Sequence, residues 1–235
     1  MTKKLFAVVA PVALSALFWG LPVLAQAQSE PSPPSPLRRL IDRILRGPED
    51  EGDPPKGSRP IAAQCLISPA VSGSIKTTIW HNQPIFVWQG ELGHFKVVNT
   101  ENEEILWEYT PSVGENYARY AGAPLHAGQA YKWQIYESER SDSPLHFPKF
   151  EIVDAVTQQG IKNDLAKIDE DMGSDRETTN ELLAISKAQY FIERSQAIDA
   201  IQMLFSVEEP TQDLAIAQEE ILEQSCETQE ASNPF

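Results

Sequence analysis

The hydrophobic pattern of this chain changes period once, near residue 154, and that change limits which layers it can build. From residue 61 to 153, short runs of aromatic and β-branched residues alternate with turn residues. Phe86 and Trp88 alternate with Ile85, Val87 and Gln89, and Phe95 and Val97 repeat the pattern after Gly93. Ile105, Trp107 and Tyr109 share a face opposite Glu104 and Glu108, while Tyr131, Trp133 and Ile135 stand opposite Lys132, Gln134 and Tyr136. Period-two alternation with one apolar face predicts strands over a core. The polar turn 99–103 predicts a hairpin between the runs on either side of it. With residues 61–67, 75–80, 117–120 and 147–153, about seven or eight short strands are expected, enough for an antiparallel sandwich.

Residues 154–226 are helical in period. Ile161, Leu165, Ile168 and Met172 fall on one stripe that stops at Gly173, and Ser174 to Glu177 reads as a capping box opening the next helix. That spacing leaves a turn of one or two residues and predicts antiparallel neighbours. Leu182, Ile185, Ala188, Phe191 and Ile192 form a second stripe. Ala197, Ile198, Ile201, Leu204 and Phe205 form a third, ended by Pro210. Thr211 caps a fourth helix through Leu214, Ala217, Ile221 and Leu222. The expected fold class is α+β with segregated layers, a sandwich over 61–153 and four helices over 154–226. Residues 227–235 are expected to be a disordered tail.

The N-terminus carries Lys3 and Lys4, an apolar run from Leu5 to Phe18, and Ala25-Gln26-Ala27. A charged head, short apolar body and small-residue exit predict a secretory signal over 1–27, cut near Ala27. The expected location is therefore periplasmic or secreted. Residues 28–60 read as a proline-rich linker. Inside it, Leu37 to Arg46 sets Leu37, Leu40, Ile41, Ile44 and Leu45 against Arg38, Arg39, Arg43 and Arg46, a short basic amphipathic helix. Ten residues are only marginally helical alone, so it is expected to order transiently. It is the one candidate for membrane contact, and it could equally touch an acidic partner, including the chain's own acidic half.

Cys65 and Cys226 are the two cysteines. An even pair in an exported chain predicts a disulfide, and a loop of that length is worth roughly 5 kcal/mol by the chain-entropy account. It would bring the last helix back to the first strand. The net charge is −15, and residues 154–235 hold 18 acidic side chains against 5 basic ones. Such a surface repels phosphate backbones, so nucleic acid is not an expected partner.

Signals for chemistry are thin. His81, His94, His126 and His146 all lie in the strand region, with no His-x-x-x-His pair. His81, His94 and Glu91 are the one combination with any prospect of converging. No Gly-x-Ser-x-Gly elbow or phosphate-cradling glycine loop is present, and no cofactor is expected. Trp88, Trp107 and Trp133 sit on alternating apolar faces and read as core. Trp80, beside His81 and Asn82, is less constrained and is a candidate aromatic ligand contact.

Leu125-His126-Ala127-Gly128-Gln129-Ala130-Tyr131 resembles the Leu-x-Pro-Gly-x-x-Tyr corner of fibronectin type III domains, with Ala127 in place of the proline. Ala188, Phe191, Ala200, Leu204 and Val207 are spaced like the helix-pair positions of a tetratricopeptide repeat. The whole order, with Gln83-Pro84-Ile85-Phe86-Val87-Trp88 in the sandwich, resembles uncharacterised exported proteins of cyanobacteria. That resemblance implies a periplasmic, non-enzymatic protein and carries no catalytic residues. The leading expectation is an adaptor whose acidic helical face, with Glu219, Glu220 and Glu223, binds another envelope protein through a basic surface. A carbohydrate- or cell-wall-binding module using Trp80 is the second reading, and an unrecognised hydrolase the third.

Overall fold

All four side chains of the run Ile85, Phe86, Val87 and Trp88 are buried, and the architecture follows from that. In the computed structural model, residues 35–46, 64–69, 77–138, 140–173 and 179–231 are described. The order is α1 (Pro36–Arg46), β1 (Gln64–Ser68), β2 (Thr77–Ile79), β3 (Ile85–Gly90), β4 (His94–Asn99), β5 (Ile105–Tyr109), β6 (Tyr117–Arg119), β7 (Ala130–Tyr136), β8 (Lys149–Ile152), α2 (Ala155–Gly173), α3 (Asn180–Ile192), α4 (Ala197–Phe205) and α5 (Gln212–Ala231). The expected signal 1–27, linker residues 28–34 and 47–60, and the capping pattern 174–177 lie outside the described residues.

The strands form two sheets, β1-β3-β6 and β2-β8-β7-β4-β5. The expected hairpin over 99–103 is present as β4 and β5, paired antiparallel. One feature departs from the all-antiparallel expectation: β2 runs parallel to β8. The consecutive strands β1 and β2 belong to different sheets, so β2 cannot be the hairpin partner of β1 and pairs with the distant β8 instead. Between the sheets lies an aromatic core in which Phe86, Trp88, Phe95, Trp133 and Phe150 have no exposure. The Phe86 ring centroid lies 5.0 Å from Trp133 and 5.3 Å from Phe95. Strand pleating turns alternate residues of β3 to opposite faces. Phe86 and Trp88 enter this inter-sheet core, while Ile85 and Val87 join the core beneath the helices. The three-stranded sheet is thus the middle of three layers.

Asp154 makes the switch from strand to helix, its carboxylate accepting the Val156 and Thr157 N–H groups ahead of α2. α2 and α3 are antiparallel, since Asp164 meets Tyr190 at 3.1 Å and Asp169 meets Lys187 at 2.7 Å. The turn between them is longer than one or two residues, because α2 ends at Gly173 and α3 starts at Asn180. The observed cap is Thr179, whose hydroxyl accepts the Leu182 N–H. α5 continues through Cys226 to Ala231, so helix occupies part of the stretch expected as a tail.

α1 does not stand apart in a linker. Leu40, Ile41 and Ile44 are buried in the helical core, and Arg38 pairs with Glu220 of α5 at 2.5 Å. Packing supplies what an eleven-residue helix lacks alone. It also covers the apolar face that membrane insertion would need. Cys65 of β1 and Cys226 of α5 form a disulfide with Cα atoms 5.7 Å apart, stapling the helical layer to the middle sheet.

Two outcomes follow for thermal unfolding. Ile41→Ala should cost about 2–5 kcal/mol, as expected for a buried aliphatic side chain, whereas a helix that was only a spacer would lose nothing. Cys226→Ser should destabilise by about 2–5 kcal/mol, and added reductant should then have no further effect on the variant.

Candidate functional site

The nine residues of α4 include two polar intruders, Asp199 and Gln202, three apart and so on one face of the helix. Both are 1% exposed. An unpartnered polar group at such a position costs roughly 1–3 kcal/mol, and here each has work on the sandwich. The Asp199 Oδ1 accepts the Trp80 N–H at 2.9 Å, and the Gln202 Oε1 accepts the Ile85 N–H at 3.1 Å. At the end of α4, the Arg119 Nη2 donates to the carbonyls of Phe205 and Ser206 at 3.2 and 2.7 Å. A guanidinium there satisfies the open carbonyls of the last turn and suits the negative end of the helix.

These bonds frame a cleft of about 200 Å³ between the end of β6, the loop before β3 and the last turn of α4. His81, Gln83, Ile85, Arg119, Gln202 and Met203 are among its lining residues. The His81 Nδ1 accepts the Gln83 N–H at 3.1 Å, so a neutral ring carries its proton on Nε2. Burial pulls His81 below its ordinary value against an opposing backbone bond at Gln83, and the Arg119 charge adds a smaller push in the same downward direction. The Gln202 Nε2 is buried and has no hydrogen-bond partner. No aspartate or glutamate lines the cleft.

Trp80 is fixed in this seam. Its indole Nε1 donates to the Gln158 carbonyl at 3.2 Å, the Gln158 side chain donates back to the Trp80 carbonyl, and its ring lies 5.9 Å from Phe191. It is half-buried, Trp88 is fully buried, and neither forms an exposed platform. His94 is engaged elsewhere, stacked on Tyr136 at 4.2 Å with its Nδ1 3.0 Å from the Ser138 carbonyl. Among the described residues, no group of three or more His, Cys, Asp or Glu side chains could hold a metal ion.

The acidic residues singled out on α5 divide. Glu219 and Glu223 are exposed, but Glu220 is held by Arg38 and by the Gln224 amide at 2.7 Å. Glu220 therefore belongs to the α1–α5 contact, and Glu219 and Glu223 remain as outward charges beside Asp213, Glu227 and the 55% exposed Ile216. Neither a protein-family model nor a curated protein matches the chain. The residues that organise the seam, Asp199, Gln202 and Arg119, escaped the sequence reading. The available signal was a pair of polar residues three apart inside an otherwise apolar helix.

Burial lifts the Asp199 carboxyl from 3.8 to about 7, against the Trp80 N–H that favours its charged form. Between those values the folded chain keeps a proton that the unfolded chain has released. Its contribution is therefore fully present below pH 3.8 and is lost as pH rises towards 7. Asp199→Asn keeps an acceptor for the Trp80 N–H and removes the titration. At pH 8 the variant should melt several degrees above the wild type, each kcal/mol being worth about 2–4 °C in a chain of this size. At pH 4 the two should converge, and a difference that is constant with pH would contradict the assignment.

Proposed function

We propose that this chain is an exported, non-catalytic interaction module that engages a basic partner in the cell envelope through its helical side. The observation that carries this reading is the outward face of α5, where Asp213, Glu219, Glu223 and Glu227 surround the exposed Ile216. No lysine or arginine occurs in that helix. A concentrated negative field speeds encounter with a basic surface and fixes orientation, and one exposed aliphatic residue adds an apolar contact at its centre. The disulfide suits an oxidising compartment, and the signal-like N-terminus supplies the route there. No described helix is long and apolar enough to cross a membrane.

The sandwich would serve as the rigid mount, and its details support the immunoglobulin and fibronectin type III likeness. The sheet orders β1-β3-β6 and β2-β8-β7-β4-β5 suit a Greek-key sandwich. The Tyr131 hydroxyl accepts the His126 N–H at 2.8 Å, as in a tyrosine corner, and Gly128 takes a φ of 73° in the turn before it. The tetratricopeptide likeness has narrower support: Ala188 and Ala200 are fully buried, small residues in the α3–α4 pair. The aromatic-module reading is weaker, because the Trp80 indole is committed to Gln158 and Phe191.

The test is capture from solubilised envelope with the mature, oxidised protein as bait. The double variant Glu219→Lys/Glu223→Lys should weaken capture about tenfold, equivalent to 1.4 kcal/mol, with thermal unfolding nearly unchanged. Capture by the wild type should also fade as salt is raised. Binding that survives both treatments and disappears with Trp80→Ala would overturn the helical-face reading and favour the aromatic module.

A further inference from the structure

We propose that the cleft between β6 and α4 binds a carboxylate group, a function independent of the α5 surface. The hydrogen-bonding bookkeeping of its walls points there. The Gln202 carbonyl oxygen is spent on the Ile85 N–H, which leaves the amide nitrogen as a buried donor with nothing to bond. His81 spends its acceptor nitrogen on the Gln83 N–H, which leaves Nε2–H. Arg119 uses Nη2 on the α4 carbonyls and keeps Nε and Nη1. The Ser206 hydroxyl donates to the Met203 carbonyl and so faces the cleft as an acceptor. Gln83 and Tyr120 also line the cleft, and each brings a donor and an acceptor. Beyond those two balanced groups, the walls hold three further side-chain donors, one permanently charged, and no acidic side chain. That is a surplus of donors in a chain of net charge −15.

A carboxylate has two oxygens with about four acceptor sites and one negative charge. It would match the donor surplus and balance the part of the Arg119 charge not used at the helix end. Neutral sugars and amides bring as many donors as acceptors and would leave the mismatch in place. The cleft volume of about 200 Å³ equals roughly seven waters at about 30 Å³ each, room for a carboxylate on a short carbon stem. Ile85 and Met203 give that stem an apolar wall. Two sources share this chemistry, a small free acid and the C-terminal carboxylate of a peptide.

The experiment follows the Gln202 side-chain amide by ¹H–¹⁵N NMR in the full, oxidised protein. Sodium propionate is titrated against sodium chloride at matched ionic strength. A tripeptide with a free C-terminus is compared with its amidated form. Propionate should shift the amide saturably, with a dissociation constant on the order of millimolar, as so small a ligand allows. His81→Phe, which keeps a ring beside Trp80, and Arg119→Lys, which keeps the charge, should each weaken binding at least about fivefold, one lost hydrogen bond to a charged group. Saturation by the free-terminus peptide alone would assign the site to chain ends, and saturation by propionate to small acids. Either result supports the proposal. Shifts no larger than chloride produces with both probes, equal binding of the amidated peptide, or propionate binding untouched by His81→Phe would overturn it. Envelope capture by the α5 face is read in a separate assay, so either idea can fail alone.

Discussion

A three-stranded sheet buried on both faces is the constraint from which the rest of this molecule follows. A strand with one wet face needs a single apolar row, but β3 offers two, Phe86 and Trp88 on one side and Ile85 and Val87 on the other. The first row is satisfied by the five-stranded sheet. The second leaves apolar surface worth roughly 25 cal/mol per Å² if covered, and the helices exist in this arrangement to cover it. α4 and α5 lie against this sheet's side of the core, with α3 and α1 completing the packing around them. The disulfide joins the same two layers covalently, from the edge strand β1 to α5.

Packing helices on that sheet brings polar backbone into a dry seam, and α4 carries the side chains that answer it. Trp80 and Ile85 flank the entry to β3, and their N–H groups fall to Asp199 and Gln202. The last carbonyls of α4 fall to Arg119 of β6. This reciprocal arrangement fixes the position of the helix along the sheet more tightly than apolar packing does, because hydrogen bonds are directional and apolar contact is not. It has a consequence for electrostatics, since a carboxyl placed there titrates near neutrality. It also leaves the Gln202 amide nitrogen and two further donors around a small opening, which is where the seam becomes a candidate site.

The charge distribution has two levels. Most acidic side chains of the helical part are solvated and give it a broad negative field. A few are consumed internally: Glu220 by Arg38, Asp169 by Lys187, and Glu181 by the backbone N–H and hydroxyl of Thr211 at 2.9 Å each. Exposed pairs contribute little each, so their role is register between helices. On α5, Asp213, Glu219, Glu223 and Glu227 are exposed, and the helix itself contains no lysine or arginine.

Periodicity made the eight strands and the four C-terminal helices legible, because alternation by two and by 3.6 is written into neighbouring residues. The β4–β5 hairpin was legible for the same reason, its turn being local. The Cys65–Cys226 pairing needed one further inference, that an exported chain with two cysteines joins them. Three features were less legible. The docking of α1 was open only as one of several contacts for a basic amphipathic segment, the chain's own acidic half among them, because it depends on a cavity built by helices more than 130 residues later. The parallel β2–β8 pair depends on which sheet each strand joins, which pattern alone does not specify. The seam residues Asp199, Gln202 and Arg119 look like isolated polar residues until the sheet places Trp80 and Ile85 opposite them. The sequence by itself determined the layers and their apolar faces, since burial preference is a property of each residue. Only the tertiary structure decided the polar seam and its cleft, since a hydrogen bond needs two partners and these lie between 86 and 119 residues apart.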